Sequence, residues 1–128
     1  MAEIVLDASA LIALIKLEPG FDLVLSHLQE SDCVMSSVNW AEVLCKVGAD
    51  TVLARFEANG IEDDVIAFAP FGPREAEELA KFPAQAGGVA LSLGDRACLS
   101  LARRLAAPAL TADRIWREVY PDTLLIRP

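Results

Sequence analysis

Ile4-Val5-Leu6-Asp7-Ala8-Ser9-Ala10-Leu11-Ile12-Ala13-Leu14-Ile15 decides how this chain is read. Ile4 to Leu6 is apolar and β-branched without alternation, as expected of a strand covered on both faces. Asp7 closes that run. Ala8 to Leu17 then follows as a compact apolar helix, stopped at Pro19-Gly20. A strand that passes through one acid straight into an apolar helix suits a parallel α/β unit, because parallel strands need crossover connections.

The same alternation continues outward. Phe21 to Gln29 is a predicted helix, with Phe21, Val24, Leu25 and Leu28 on one face. Cys33-Val34-Met35 is the next strand, and Asn39 to Val47 is helical, stopped at Gly48. Helices are expected over Thr51 to Ala58 and Glu75 to Lys81, on either side of a strand at Val65 to Phe68. Ala84-Gln85-Ala86-Gly87-Gly88 is the most loop-like segment. A long apolar helix from Gly94 to Ala106 precedes a strand at Ala109 to Thr111, a short helix at Arg114 to Val119 and a last strand at Thr123 to Ile126. About five strands separated by helices predict a parallel sheet with helices on both faces.

At 128 residues the expectation is one domain, 1–128, able to bury a sizeable core. The hydrophobic share of 54% is high for a chain of this length, so helices covered on several sides, or a partner covering apolar surface, are expected. The longest apolar stretch, Ala10 to Ile15, is far shorter than the roughly 18 residues that span a bilayer. Glu3 and Asp7 occupy the place where a secretory signal carries positive charge, so neither such a signal nor a membrane association is expected, and the cysteines point to a cytoplasmic location. Cys33, Cys45 and Cys98 read as reduced core residues.

The net charge of -8 argues against a polyanion partner until its distribution is considered. Residues 1–94 hold 15 acids against 5 bases, whereas residues 95–128 hold 6 arginines against 4 acids. Arginine is the better phosphate fork, although the same residues also serve as solvated helix faces.

Four acids stand at the edges of apolar segments: Asp7, Glu42, Asp95 and Asp113. Each has an ordinary explanation as a helix cap or dipole partner. Asn39-Trp40-Ala41-Glu42 and Ser92-Leu93-Gly94-Asp95 both have the spacing of a capping box. Taken jointly, all four fall at the carboxyl edge of a parallel sheet, where they would repel one another unless a cation or protons intervene. A hard divalent ion, Mg²⁺ with Mn²⁺ as substitute, suits such oxygen donors and supports hydrolysis of a phosphodiester. Ser9 and Thr111 are placed to orient water or to cap locally, and Arg96 and Arg114 to clamp phosphate or to serve the fold.

Val5-Leu6-Asp7-Ala8-Ser9-Ala10-Leu11-Ile12, Ser37-Val38-Asn39-Trp40-Ala41-Glu42-Val43, Leu93-Gly94-Asp95-Arg96-Ala97-Cys98-Leu99 and Leu110-Thr111-Ala112-Asp113-Arg114-Ile115-Trp116 resemble, in order and spacing, the motifs of PIN-domain ribonucleases. The likeness is greatest to VapC-type toxins of toxin–antitoxin pairs. That resemblance implies a three-layer α/β/α fold and a Mg²⁺- or Mn²⁺-dependent endoribonuclease acting on RNA. It further implies a homodimer and neutralisation by a cognate antitoxin. By position, Asp7, Glu42, Asp95 and Asp113 carry over as metal-binding and catalytic acids, with Ser9, Thr111 and Asn39 as supporting polar residues. Two other readings compete: a PIN nuclease of RNA maturation without an antitoxin, and a non-catalytic interaction module. A haloacid-dehalogenase-type phosphatase needs a second Asp two positions after Asp7, and Ser9 stands there.

Overall fold

The computed structural model describes residues 3–62 and 64–128. Its strands are β1 (Glu3–Leu6), β2 (Asp32–Ser36), β3 (Ile66–Ala69), β4 (Gln85–Ala86), β5 (Val89–Ala90), β6 (Ala109–Thr111) and β7 (Thr123–Leu125). The helices are α1 (Ala8–Lys16), α2 (Phe21–Glu30), α3 (Ser37–Val47), α4 (Ala49–Ala58), α5 (Pro73–Ala80) and α6 (Leu93–Leu105), with a 3-10 helix at Arg114–Glu118. Five strands form one parallel sheet in the order β3-β2-β1-β6-β7.

Side-chain alternation along the strands divides the core into two layers. Ile4, Leu6, Cys33, Met35, Ile66 and Leu110 face one way and pack with the apolar sides of α1 to α4. Val5, Val34 and Ala109 face the other way, against α6, Phe82 and Trp116. The result is the expected three-layer α/β/α arrangement. The three inner strands stay apolar on both faces because helices cover both, whereas the edge strand β3 leaves Ala67 and Phe68 exposed.

The strand order places the site. The chain leaves β1 through α1 on one face, whereas β6 is reached through α6 on the other. Adjacent strands whose connections diverge to opposite faces leave a crevice beyond their carboxyl ends. Here that crevice lies beyond Leu6 and Thr111, which end the paired strands β1 and β6.

Several local expectations are corrected. Residues 84–88 do not form a plain loop: Gln85 pairs with Ala90 and Ala86 with Val89 in a small antiparallel hairpin. Its turn is Gly87-Gly88, with φ of 55° and 79°, the left-handed backbone that tight hairpins require. Helix α3 starts earlier than Asn39, because the Ser36 hydroxyl accepts from Val38 N and caps it. Asn39 is therefore not the cap of a capping box but a buried residue of the first turn. The Ser92–Asp95 box is present in full. Cys33 and Cys98 are buried, but Cys45 is exposed on α3 and is no core residue. Among the described residues no helix is long and apolar enough to cross a membrane.

Candidate functional site

Asp7 follows β1 and caps α1, accepting from Ala10 N at 2.9 Å. It is only 6% exposed, and each carboxylate oxygen also receives a hydroxyl. Ser9 Oγ donates to Oδ1 at 2.7 Å, and Thr111 Oγ1 donates to Oδ2 at 2.6 Å. Both hydroxyls are themselves oriented across the β1–β6 junction: Ser9 Oγ accepts from Ala112 N and Thr111 Oγ1 from Asp113 N. Burial is the main influence on this carboxyl and pushes it up to about 6. The hydrogen bonds from Thr111, Ser9 and Ala10 oppose that shift, and the negative charge of Asp95 adds to it.

Glu42 reaches the same region from α3. Asn39, 1% exposed, donates one amide to two acceptors: Glu42 Oε1 at 2.9 Å and the Gly94 carbonyl at 2.9 Å. This single side chain ties α3 to the first turn of α6. Asp95, in that turn, accepts from Ser92 N at 3.0 Å through Oδ2.

Cys98 lies within the field of these acids. It lies one turn after Asp95 on α6 and is fully buried. Burial pushes its thiol well above the ordinary value, and the charges of Asp7, Asp95 and Glu42 push it further. The charges of Asp7 at the β1–α1 junction, Glu42 on α3 and Asp95 on α6 thus all reach this thiol, although Glu42 and Asp95 lie 35 and 88 residues after Asp7 in the chain.

Asp113 is placed differently. Its backbone N–H is held by Thr111, but its carboxylate is exposed and caps the 3-10 helix by accepting from Ile115 N at 3.1 Å. Arg96 is turned inward: its Nη2 donates to the carbonyls of Phe82 and Leu79 at 2.9 and 3.3 Å. Of its two anticipated roles, the structure displays the one that serves the fold, closing the end of α5. Arg114 is exposed at the start of the 3-10 helix, beside Asp113.

Among the described residues no three His, Cys, Asp or Glu side chains stand as a ready-made metal cage. Zinc-type sites need such a cage, whereas Mg²⁺ takes one or two carboxylates and keeps several waters. The residues present fit the second case: Asp7, Asp95 and Glu42 are oxygen donors, Asp7 feels the charge of Asp95, and Asn39 ties Glu42 to Gly94, the residue next to Asp95. Gly94 and Cys98 belong to the motif around Asp95, but sequence reasoning assigned neither of them a role in the site. The available signal was a glycine kept inside a helix's first turn, where it is a poor helix former.

A family model of the PIN domain matches residues 4–121. The chain belongs to the PIN domain family. PIN domains are generally nucleases. The PIN chain is also similar in fold to solved structures at low identity. A structure of VapBC2 from Rickettsia felis, bound to a DNA fragment from their promoter, matches with a TM-score of 0.70 and 13% identity over 96% of each chain. A toxin–antitoxin complex from Klebsiella pneumoniae matches with a TM-score of 0.72 and 15% identity, over 96% of this chain and 97% of the other. A PilT N-terminus domain protein from Sulfolobus solfataricus gives 0.57 at 15% identity, over 97% and 87%. No curated protein sequence matches.

Proposed function

We propose that this PIN domain, spanning 1–128, is a Mg²⁺- or Mn²⁺-dependent endoribonuclease of the VapC toxin kind, held in check by a cognate antitoxin. The observation that carries this reading is the buried Asp7 beyond the β1 edge, hydrogen-bonded by two hydroxyls and subject to the charge of Asp95, with Glu42 tied through Asn39 to the first turn of α6. An isolated buried carboxylate with like-charged neighbours is unfavourable, and a bound cation removes that cost. When bound, the cation supplies positive charge at the scissile phosphodiester and acidifies water.

The chain's own residues have distinct tasks. Asp7 holds the cation, aimed by Ser9 and Thr111. Asp95 contributes from α6, with Ser92 fixing its Oδ2. Glu42 is presented from α3, with Asn39 holding Oε1. Asp113, exposed at the mouth, is suited to orienting the attacking water or a second ion, and Arg114 beside it to contacting substrate phosphate. Arg96 is assigned to the fold.

The antitoxin reading has its own support. An apolar groove of about 260 Å³ between α3, α4 and β3 is lined by Trp40, Leu44, Val52, Leu53, Phe56 and Phe68. Leu53 is 55% exposed and Phe68 41%. Leu17, Phe21 and Leu23 are exposed around the α1–α2 turn. Apolar surface in such amounts is typical of a covered face, and we assign it to an antitoxin helix and to a second copy in a homodimer. The similar structures from Rickettsia felis and Klebsiella pneumoniae are themselves toxin–antitoxin assemblies.

The test is mapping of new RNA ends after brief expression of wild type and Asp7→Asn. Discrete cleavage sites present only with the wild type are expected. Identical end profiles for the two proteins would leave the non-catalytic module as the better reading. Cleavage in a genome that encodes no short adjacent partner would favour RNA maturation instead.

A further inference from the structure

We propose that Gly94, by lacking a side chain, and Asn39, through its shared amide, are positioning residues that set where the Glu42 carboxylate stands. The proposal rests on the reading of Asp7, Glu42 and Asp95 as a cation site and deepens it.

Gly94 lies in the first turn of α6 and is buried. Its backbone is helical and is not among the positive-φ glycines, so conformation does not demand glycine there. Alanine would be the better helix former. Space explains the choice. A Cβ at position 94 would stand 2.6 Å from Cδ and 2.7 Å from Oε2 of Glu42, far inside van der Waals contact. The Glu42 carboxylate therefore lies directly on the backbone of α6, at the helix end whose dipole is positive.

Asn39 completes the arrangement. Its Nδ2 bridges Glu42 Oε1 and the Gly94 carbonyl, both at 2.9 Å. Both acceptors are oxygens, so the amide must present nitrogen to them and its orientation is settled. Glu42 is thus held on one side by a donor and on the other by the empty position at Gly94. Because the obstructing atoms belong to the end of a flexible side chain, a methyl group at 94 is accommodated by moving Glu42, with the helix itself intact. The fold tolerates the change and the carboxylate does not keep its place.

The experiment compares wild type, Gly94→Ala, Glu42→Ala and the double variant. It reads Mn²⁺ affinity by calorimetry, thermal unfolding of the metal-free protein, and the Asn39 side-chain amide signals by NMR. Gly94→Ala is expected to weaken Mn²⁺ binding about tenfold or more, the range found when a ligand's supporting partner is lost. Its unfolding midpoint should stay within about 3 °C of wild type, since no core packing is lost. The Asn39 amide signals should move. In the Glu42→Ala background, where the obstructed group is gone, adding Gly94→Ala should alter neither affinity nor amide signals, and this double variant keeps the test valid if the single one unfolds. Unchanged Mn²⁺ affinity and amide signals in Gly94→Ala, or an equal effect in both backgrounds, would overturn the positioning role. Wild-type protein that takes up no Mn²⁺ would instead overturn the cation reading on which it rests.

Discussion

The junction after β1 and the junction after β6 share one local plan. Each is a short buried strand, then an aspartate whose carboxylate caps the helical turn that follows: Asp7 over α1 and Asp113 over the 3-10 helix. Their surroundings differ. Asp7 is buried, with hydroxyls on both oxygens, whereas Asp113 is exposed. The cap follows from local sequence, but the chemistry follows from place in the sheet. β1 is the central strand, flanked by β2 and β6, and the side chain that follows it feels the charge of Asp95 on α6. Thr111 joins the two junctions, donating to Asp7 while accepting from Asp113 N.

If this contrast is real, the two aspartates should respond unequally to the same substitution. Asp7→Asn is expected to lower Mn²⁺-dependent RNA cleavage by more than about 100-fold, beyond the usual effect of an outer partner, and Asp113→Asn by about tenfold. Single-turnover rates at saturating metal check this. Equal losses would erase the distinction between a buried and a peripheral acid.

The second consequence concerns pH. The carboxyl of Asp7 is raised from its ordinary 3.8 to about 6, so the metal-free native state binds this proton more tightly than the unfolded chain does. The stabilisation is therefore fully present below about pH 3.8 and is lost as pH rises through about 6, a change of about 3 kcal/mol. Urea unfolding in chelator at pH 4 and pH 7.5 should show that loss in wild type relative to Asp7→Asn. Added Mn²⁺ should restore stability at pH 7.5 in the wild type alone. Parallel pH profiles for the two proteins would contradict the burial argument.

The link between the junctions can be cut at Thr111. Thr111→Val leaves Asp7 Oδ2 and Asp113 N without their shared partner, at an expected cost of about 1–3 kcal/mol by denaturant unfolding. Thr111→Ser should recover most of it. The smallest effect is expected of Asp113→Ala, which removes an exposed cap, with a loss of about 1 kcal/mol or less.

Most of the scaffold could be read from the chain because apolar runs, Gly48 and Pro19-Gly20 are local signals, and five buried strands alternating with helices admit few arrangements. The acids could be located for the same reason, since each adjoins an apolar segment. Their inequality was not legible. Nothing near Asp113 in the sequence distinguishes it from Asp7, because exposure is decided by which strand lies at the centre. Asn39 was expected to cap α3, and its actual role depends on Gly94, 55 positions away. Arg96 sits beside Asp95 in sequence yet turns toward Leu79 and Phe82, because the carbonyls at and just beyond the end of α5 lie within its reach. The hairpin at 85–90 escaped because strands of two residues carry almost no periodicity.

Asp7 after β1, Glu42 on α3 and Asp95 on α6 are proposed to form one cation site beyond the β1–β6 edge. Anomalous diffraction from a crystal soaked in Mn²⁺ tests it most directly. The account predicts a peak in direct contact with Asp7 and with at least one of Asp95 and Glu42. A peak bound to Asp113 alone, or no peak at the β1–β6 edge in a crystal whose Asp7 is ionised, would contradict it.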